Sequence, residues 1–277
     1  MRQVDYPPQE PLSEAGTAYG IECWRRSAGI VGTEHAFGAD DYQRLLVFNA
    51  KNPDGRILLF WHGGGWTSGY KEWFGFMAPA FTAAGVTFVS AGYRLAPQHL
   101  FPDALDDCVD AIKWVAANLG RRGGDVGKIF IGGHSAGGHY AALLSANARW
   151  TRGAGLARNV VRGCMPLSGV FEFGEASGLS VRPRFLGTDP ANDKRASPLW
   201  NLDPLLPPFL VAHGTRDFPH LIAQAGRFVQ AVREHGGEAQ YLEMSERTHF
   251  TSSYAGGETD GPWVNEALAF MARHAGS

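Results

Sequence analysis

The chain has 277 residues, of which 44% are hydrophobic, enough to form one large apolar core. A formal net charge of −2 without a basic cluster argues against nucleic acid or a membrane surface as a partner. Three widely spaced cysteines, Cys23, Cys108 and Cys164, argue against a disulfide framework and against a zinc cluster. We therefore expect a small-molecule substrate and no metal or other cofactor, and we leave a homodimer open.

The N-terminal residues 1–8 have no apolar segment of the secretory type, and no stretch approaches the ~20 apolar residues that span a bilayer. We expect a cytoplasmic protein. Predicted strands and helices alternate without a repeat or an interdomain linker, a pattern typical of a mostly parallel sheet with helices on both faces. The sequence therefore predicts an α/β fold with a single domain over residues 1–277.

The first apolar run that predicts a buried strand is 56–61, and the segment His-Gly-Gly-Gly at 62–65 follows it. Glycines allow the backbone to approach a ligand closely and to aim its N–H groups at one oxygen. We expect the N–H groups of Gly63 and Gly64, with that of Ala136, to form an oxyanion hole. Each donor of this kind contributes about 3 to 4 kcal/mol of transition-state stabilisation.

A further strand is predicted at residues 86–90, and the apolar periodicity that follows predicts a helix over 102–119. Asp103, Asp106 and Asp107 fall in the first turns of that helix, near the positive end of its dipole. We interpret these three carboxylates as a solvated helix start and not as a site.

The segment Gly-His-Ser-Ala-Gly at 133–137 has the G-x-S-x-G spacing of a nucleophile elbow. A strand predicted at 128–131 precedes it, and good helix-forming residues at 140–144 follow it. Strand, turn and helix thus come in the order that the elbow requires. We predict that Ser135 is a catalytic nucleophile.

A serine hydroxyl needs a base to take its proton and a carboxylate to orient that base. Asp217 follows a strand predicted at 208–214 and precedes a helix that begins at Pro219. It is preferred as the acid over three aspartates in a proline-rich segment, which are Asp189, Asp193 and Asp203.

The base is predicted to be His249, because among the ten histidines it alone lies in a loop after the last predicted strand, near 240–242. We expect it on a loop. His62 and His134 are assigned to turns and to packing, whereas His139 lies one helical turn after Ser135 and His213 lies before the candidate acid. A last helix is predicted from Pro262 to Ala272.

Residues 1–35 and the proline-rich excursion over 169–207 break the alternation of strands and helices, so we expect them to form a small cover over the active-site mouth. Aromatic residues near the motifs are predicted to line the substrate pocket. They are Trp66, Tyr70, Trp73, Phe74, Phe171 and Phe250.

With these motifs in place, the chain resembles the α/β-hydrolase superfamily over nearly its whole length. The resemblance is carried by 62–66, by 133–137, by Asp217 and by His249-Phe250. Within the superfamily it is similar to two groups, the arylformamidase-like (kynurenine formamidase) enzymes and the hormone-sensitive-lipase-like small carboxylesterases. The resemblance implies a Ser-His-Asp triad, a backbone oxyanion hole and hydrolysis through an acyl-enzyme.

The two groups differ at a few positions. Tyr-Arg-Leu-Ala-Pro at 93–97 resembles the lipase-like esterases, as does Gly65, where formamidases often carry tyrosine. His134 stands where those esterases usually have aspartate. Carboxylesterase is therefore the leading prediction, arylformamidase is the alternative, and a non-catalytic ligand-binding member of the fold is a remote third.

Overall fold

The computed structural model describes residues 3–120, 128–157, 159–179 and 181–276. Eight strands in these ranges form one sheet in the order β1-β2-β4-β3-β5-β6-β7-β8. The two pairs β1–β2 and β2–β4 are antiparallel, and every other neighbouring pair is parallel. The strands are β1 (Thr33–Ala36), β2 (Arg44–Phe48), β3 (Arg56–Trp61), β4 (Thr87–Ala91), β5 (Lys128–His134), β6 (Val161–Leu167), β7 (Phe209–Arg216) and β8 (Ala239–Thr248).

Helices connect the strands in the described part of the chain. They are α1 (Glu14–Ser27), α2 (Ala78–Ala83), α3 (Asp103–Asn118), α4 (Ala136–Ala146), α5 (Arg149–Gly153), α6 (Ala191–Ala196), α7 (Pro219–Glu234), α8 (His249–Tyr254) and α9 (Pro262–His274). The predicted helix over 102–119 is therefore α3, and the predicted last helix is α9. None of the helices in the described ranges combines the length and the apolar character needed to cross a membrane.

The central strands are buried along consecutive residues, as strands covered on both faces should be. Three of them, β3, β5 and β7, run parallel and end at the same edge of the sheet. The three glycines, Ser135 and Asp217 follow these ends directly. The topology therefore brings together residues that are more than 150 positions apart in sequence.

One interpretation of the sequence is wrong at the start of α3. Asp106 is exposed as expected, but Asp107 is fully buried. Its carboxylate accepts hydrogen bonds from the guanidinium of Arg94, with Nη2 to Oδ1 at 2.7 Å, and from Nε2 of Gln43 at 2.7 Å. A buried carboxylate needs such charged and polar partners, and neither lies within one helical turn of it in the sequence.

Candidate active site

Ser135 lies on the turn between β5 and α4, with φ of 53° and ψ of −115°. A positive φ is rare for a residue with a side chain and marks strain that the surroundings hold in place. The turn is tight, because a Cβ added at Gly137 would lie 2.2 Å from the carbonyl oxygen of Trp61. A Cβ added at Gly133 would lie 2.3 Å from the carbonyl carbon of Gly137. Both glycines of the motif are therefore required by close backbone approach.

The structure brings Ser135, His249 and Asp217 together in one hydrogen-bonded chain. Nε2 of His249 lies 2.9 Å from Oγ of Ser135, and Nδ1 of His249 lies 2.8 Å from Oδ1 of Asp217. In the neutral tautomer that fits both contacts, Nδ1–H donates to the carboxylate and Nε2 accepts from the serine hydroxyl. His249 and Asp217 are buried, whereas Ser135 is partly exposed. Such a chain can move a proton from the serine hydroxyl to the imidazole.

The carboxylate of Asp217 is held in its ionised form. Burial alone would raise its pKa, but hydrogen bonds from the His249 imidazole and from the backbone N–H of Phe218 outweigh burial, so the pKa is lowered. The Phe218 N–H donates to Oδ1 at 2.7 Å. An ionised Asp217 can fix the ring of His249 and stabilise an imidazolium formed there.

The sequence predicted that His249 lies on a loop, and this is wrong. His249 is the first residue of α8. The Thr248 hydroxyl caps this helix by accepting the N–H of Thr251, and the Thr251 hydroxyl accepts the N–H of Thr248 in return. This reciprocal capping starts a helix directly after β8. The imidazole of His249 is thus held at a capped helix start and not on a flexible connection.

Three other histidines near the site are buried, and each hydrogen-bonds to protein groups. Nε2–H of His134 donates to the carbonyl of His249 at 2.8 Å, and Nδ1 of His62 donates to the carbonyl of Gly63 at 2.7 Å. Nδ1 of His139 accepts from the indole of Trp66, and its Nε2–H donates to the carbonyl of Ala196. These contacts agree with the packing role predicted for His62 and His134.

The burial of these imidazoles predicts a loss of stability in mild acid. Burial lowers the pKa of His62 and of His139 to about 4, and burial together with the neighbouring His249 lowers that of His134 to about 3. In the unfolded chain a histidine binds its proton near pH 6.5. As pH falls from 6.5 towards 4, each buried histidine therefore lowers the free energy of unfolding by about 1.4 kcal/mol per pH unit.

We expect urea titrations at pH 7.5, 6.5, 5.5 and 4.5 to show a small fall in unfolding free energy between pH 7.5 and 6.5 and a steep fall below pH 6.5. The matched control is His235→Gln, which removes one exposed imidazole and no buried one. An unfolding free energy that stays constant between pH 6.5 and 4.5 would contradict the neutral state of the three imidazoles.

The structure places the three glycines differently with respect to the site. Gly63 is buried, and a Cβ added there would lie 3.2 Å from Cβ of Ser135. Gly64 and Gly65 instead reach the surface of the cavity above Ser135. Among the described groups, none accepts a hydrogen bond from the backbone N–H of Gly64 or Gly65. Ala136 is buried at the first position of α4, where a helix N–H has no partner within the helix.

A cavity of about 380 Å³ opens above Ser135 and His249. Of the six aromatic residues predicted to line it, Trp66, Trp73 and Phe250 do so. The other three, Tyr70, Phe74 and Phe171, are buried elsewhere and do not line it. Phe171 stacks on Phe228 of α7, with ring centroids 4.5 Å apart, so it packs in the core between two elements.

Both predicted cover segments contribute to the cavity wall. Leu12 and Tyr19 come from the N-terminal segment, and Val170, Leu179 and Arg184 come from the excursion. The sequence predicted that these segments cover the cavity but identified none of these residues. No local sequence signal shows which side of a covering segment faces the cavity. Phe218, directly before α7, and His220 and Leu221 in the first turn of α7 also line the cavity and were missed.

A family model described as alpha/beta hydrolase fold matches residues 58–252, which is more than half of the chain. The chain belongs to the alpha/beta hydrolase fold family. The matched region contains the three glycines, the nucleophile elbow, Asp217 and His249. The α/β-hydrolase resemblance and the fold class drawn from the sequence are thereby confirmed.

Curated relatives of this alpha/beta hydrolase carry esterase names. The chain is 31% identical to Esterase LipC of Mycobacterium tuberculosis over 259 residues, with 85% of this chain and 63% of that protein covered. It is 27% identical to isoprenylcysteine alpha-carbonyl methylesterase ICME of Arabidopsis thaliana over 241 residues, which cover 77% of this chain and 55% of that protein. The chain therefore spans about three fifths of the length of these relatives.

The fold is also found among solved structures. The apo form of Thermogutta terrifontis esterase 2 superposes with a TM-score of 0.73 at 22% identity, covering 87% of this chain and 94% of that one. At this level of identity the likeness establishes the alpha/beta hydrolase fold.

Proposed function

We propose that this chain is a carboxylesterase that cleaves esters of small acyl or aryl groups through an acyl-enzyme on Ser135. The observation that carries the proposal is the hydrogen-bonded chain from Ser135 through His249 to Asp217 at the base of a cavity. The esterase names of the relatives support the same reaction class. A non-catalytic ligand-binding protein would have no need for all three groups in this arrangement.

In the first half of the reaction, Oγ of Ser135 attacks the ester carbonyl carbon while Nε2 of His249 takes the hydroxyl proton. The C–O bond to the leaving alkoxide then breaks, and the imidazolium gives its proton to that oxygen. In the second half, His249 deprotonates a water molecule, which attacks the acyl carbon. The acid is released, and the proton returns to Ser135.

The oxyanion that forms at each attack needs fixed N–H donors. We assign this role to the N–H groups of Gly64, Gly65 and Ala136. Gly65 takes the place that the sequence suggested for Gly63, because Gly65 lies on the cavity wall and Gly63 is buried beneath it. Gly64 and Gly65 have no described acceptor for their N–H groups, so both are free to donate to a substrate oxygen.

The cavity suits an ester with a short alkyl or aryl group. Its wall is largely apolar and includes the rings of Tyr19, Trp66 and Trp73, which suit a short alkyl or aryl group. Gly65 adds no side chain to the wall, and a Cβ built there would meet no atom within 4 Å. This part of the pocket therefore stays open.

The test is a side-by-side measurement of kcat/KM on p-nitrophenyl acetate, butyrate and octanoate and on N-formylkynurenine, with Ser135→Ala as the blank. We expect the acetate and butyrate esters to be the best substrates and the formyl amide to be turned over at least about 100-fold less efficiently, since an amine leaves less readily than p-nitrophenolate. A higher kcat/KM on N-formylkynurenine than on every ester would replace the esterase proposal with arylformamidase.

A further inference from the structure

The N-terminal segment 6–10 lies against the segment 68–72, which follows the glycine segment 63–65. The hydroxyl of Tyr6 donates to the carboxylate of Glu72 at 3.0 Å. The hydroxyl of Ser68 donates to the backbone carbonyl of Glu10 at 2.9 Å. Two residues near the start of the chain thus fix both ends of segment 68–72.

Gln9 makes the most specific of these contacts, because its amide binds both backbone groups of one residue. Oε1 of Gln9 accepts from the N–H of Gly69 at 2.8 Å, and Nε2 donates to the carbonyl of Gly69 at 2.9 Å. Nε2 also donates to the hydroxyl of Tyr42 at 2.9 Å, and that hydroxyl donates to the carbonyl of Pro7. Both amide protons and the amide oxygen of Gln9 are therefore used, which fixes the orientation of its side chain.

Gly69 in turn packs on the backbone of the glycine segment. Its φ is 116°, and a Cβ added there would lie 2.3 Å from the carbonyl oxygen of Gly63 and 2.3 Å from Nδ1 of His62. That Nδ1 donates to the same Gly63 carbonyl. The carbonyl of Gly63 and the N–H of Gly64 belong to one planar peptide unit, so whatever fixes the carbonyl also fixes the direction of the N–H.

We propose that Gln9 is a positioning residue for the oxyanion donors, acting through Gly69 on the peptide unit between Gly63 and Gly64. This inference rests on the proposed esterase function. Gln9 itself does not line the cavity, so it has no contact with substrate there. Its loss should therefore impair stabilisation of the transition state and leave substrate binding unchanged.

The test is Gln9→Met, which keeps the length of the side chain and removes its three hydrogen bonds. On p-nitrophenyl butyrate we expect kcat to fall by about 10- to 100-fold, the effect of a small misplacement of catalytic groups, with KM changed by less than about 2-fold. The inhibition constant of an alkyl trifluoromethyl ketone, whose adduct with Ser135 places an oxyanion in the same site, should rise by the same factor as kcat falls. The matched control is Gln230→Met, at an exposed glutamine on α7 that bonds Glu234.

A Gln9→Met variant that loses thermal stability but keeps the kcat and the inhibition constant of the wild-type protein would overturn the proposal, since Gln9 would then be only structural. If that variant does not fold, Tyr42→Phe removes one acceptor from Gln9, and its kcat should fall about 3-fold at unchanged KM. An unchanged kcat there would also overturn the proposal. Wild-type protein without Ser135-dependent turnover would instead contradict the esterase function itself.

Discussion

Ser135→Ala is expected to lower kcat for p-nitrophenyl butyrate by about 10⁵- to 10⁶-fold, because the variant lacks the oxygen that would form the acyl-enzyme. The fold should be retained, since the change removes only one partly exposed oxygen from the turn after β5. The measurement is steady-state kinetics together with a thermal melt of the same preparation.

Ser145→Ala is the matched control for this prediction, because Ser145 lies in the same helix α4 but does not line the cavity. It should keep a kcat close to that of the wild-type protein. Ser135→Ala protein that is folded and retains normal turnover would mean that another residue is the nucleophile.

His249→Gln is expected to reduce kcat on the same ester by a similar factor, since glutamine cannot accept the proton from Ser135 or deliver it to the leaving group. Residues that act as one unit are not additive. The kcat of the double variant Ser135→Ala with His249→Gln should therefore be no lower than that of Ser135→Ala alone. The measurement is kcat for the two single variants and the double variant.

The control for the base is His213→Gln. His213 lies near the end of β7, and its ring nitrogens contact the carbonyl of Gly214 and the hydroxyl of Tyr241, away from Ser135. We expect only a small change in kcat for this variant. A loss of turnover in His213→Gln alone, with His249→Gln active, would show that the base is misassigned.

The positions of Ser135, Asp217 and His249 were predictable because each follows a strand in a parallel sheet. The apolar runs before the glycine segment, before Ser135 and before Asp217 are buried strands β3, β5 and β7, and parallel strands end at one edge. Local sequence thus determined which residues would meet. The capped helix start that carries His249 was missed because a Thr-x-x-Thr spacing is only a weak signal of capping.

The pocket wall was much harder to predict. Tyr70 and Trp73 lie three residues apart in the same segment, yet only Trp73 lines the cavity. Tyr70 instead packs on Tyr6, with ring centroids 4.9 Å apart. Which of the two rings lines the cavity depends on where the N-terminal segment packs, and neither composition nor periodicity predicts that position.

Buried polar contacts between distant segments were missed for the same reason. Asp107 looked like a solvated charge because its partners, Gln43 and Arg94, are 64 and 13 residues away. No sequence motif surrounds Gln9. Its proposed role depends on its contact with Gly69, which lies 60 residues later in the sequence. Long-range hydrogen bonding of this kind has to be read from the structure.

The most direct test of the esterase proposal is covalent labelling of the chain by diethyl p-nitrophenyl phosphate, which reacts with an activated serine and releases p-nitrophenol. We expect one equivalent of p-nitrophenol per chain, loss of ester hydrolysis in proportion, and a diethylphosphoryl group on the peptide that contains Ser135. Ester hydrolysis that persists after full exposure to the reagent, or a label on a residue other than Ser135, would contradict the account.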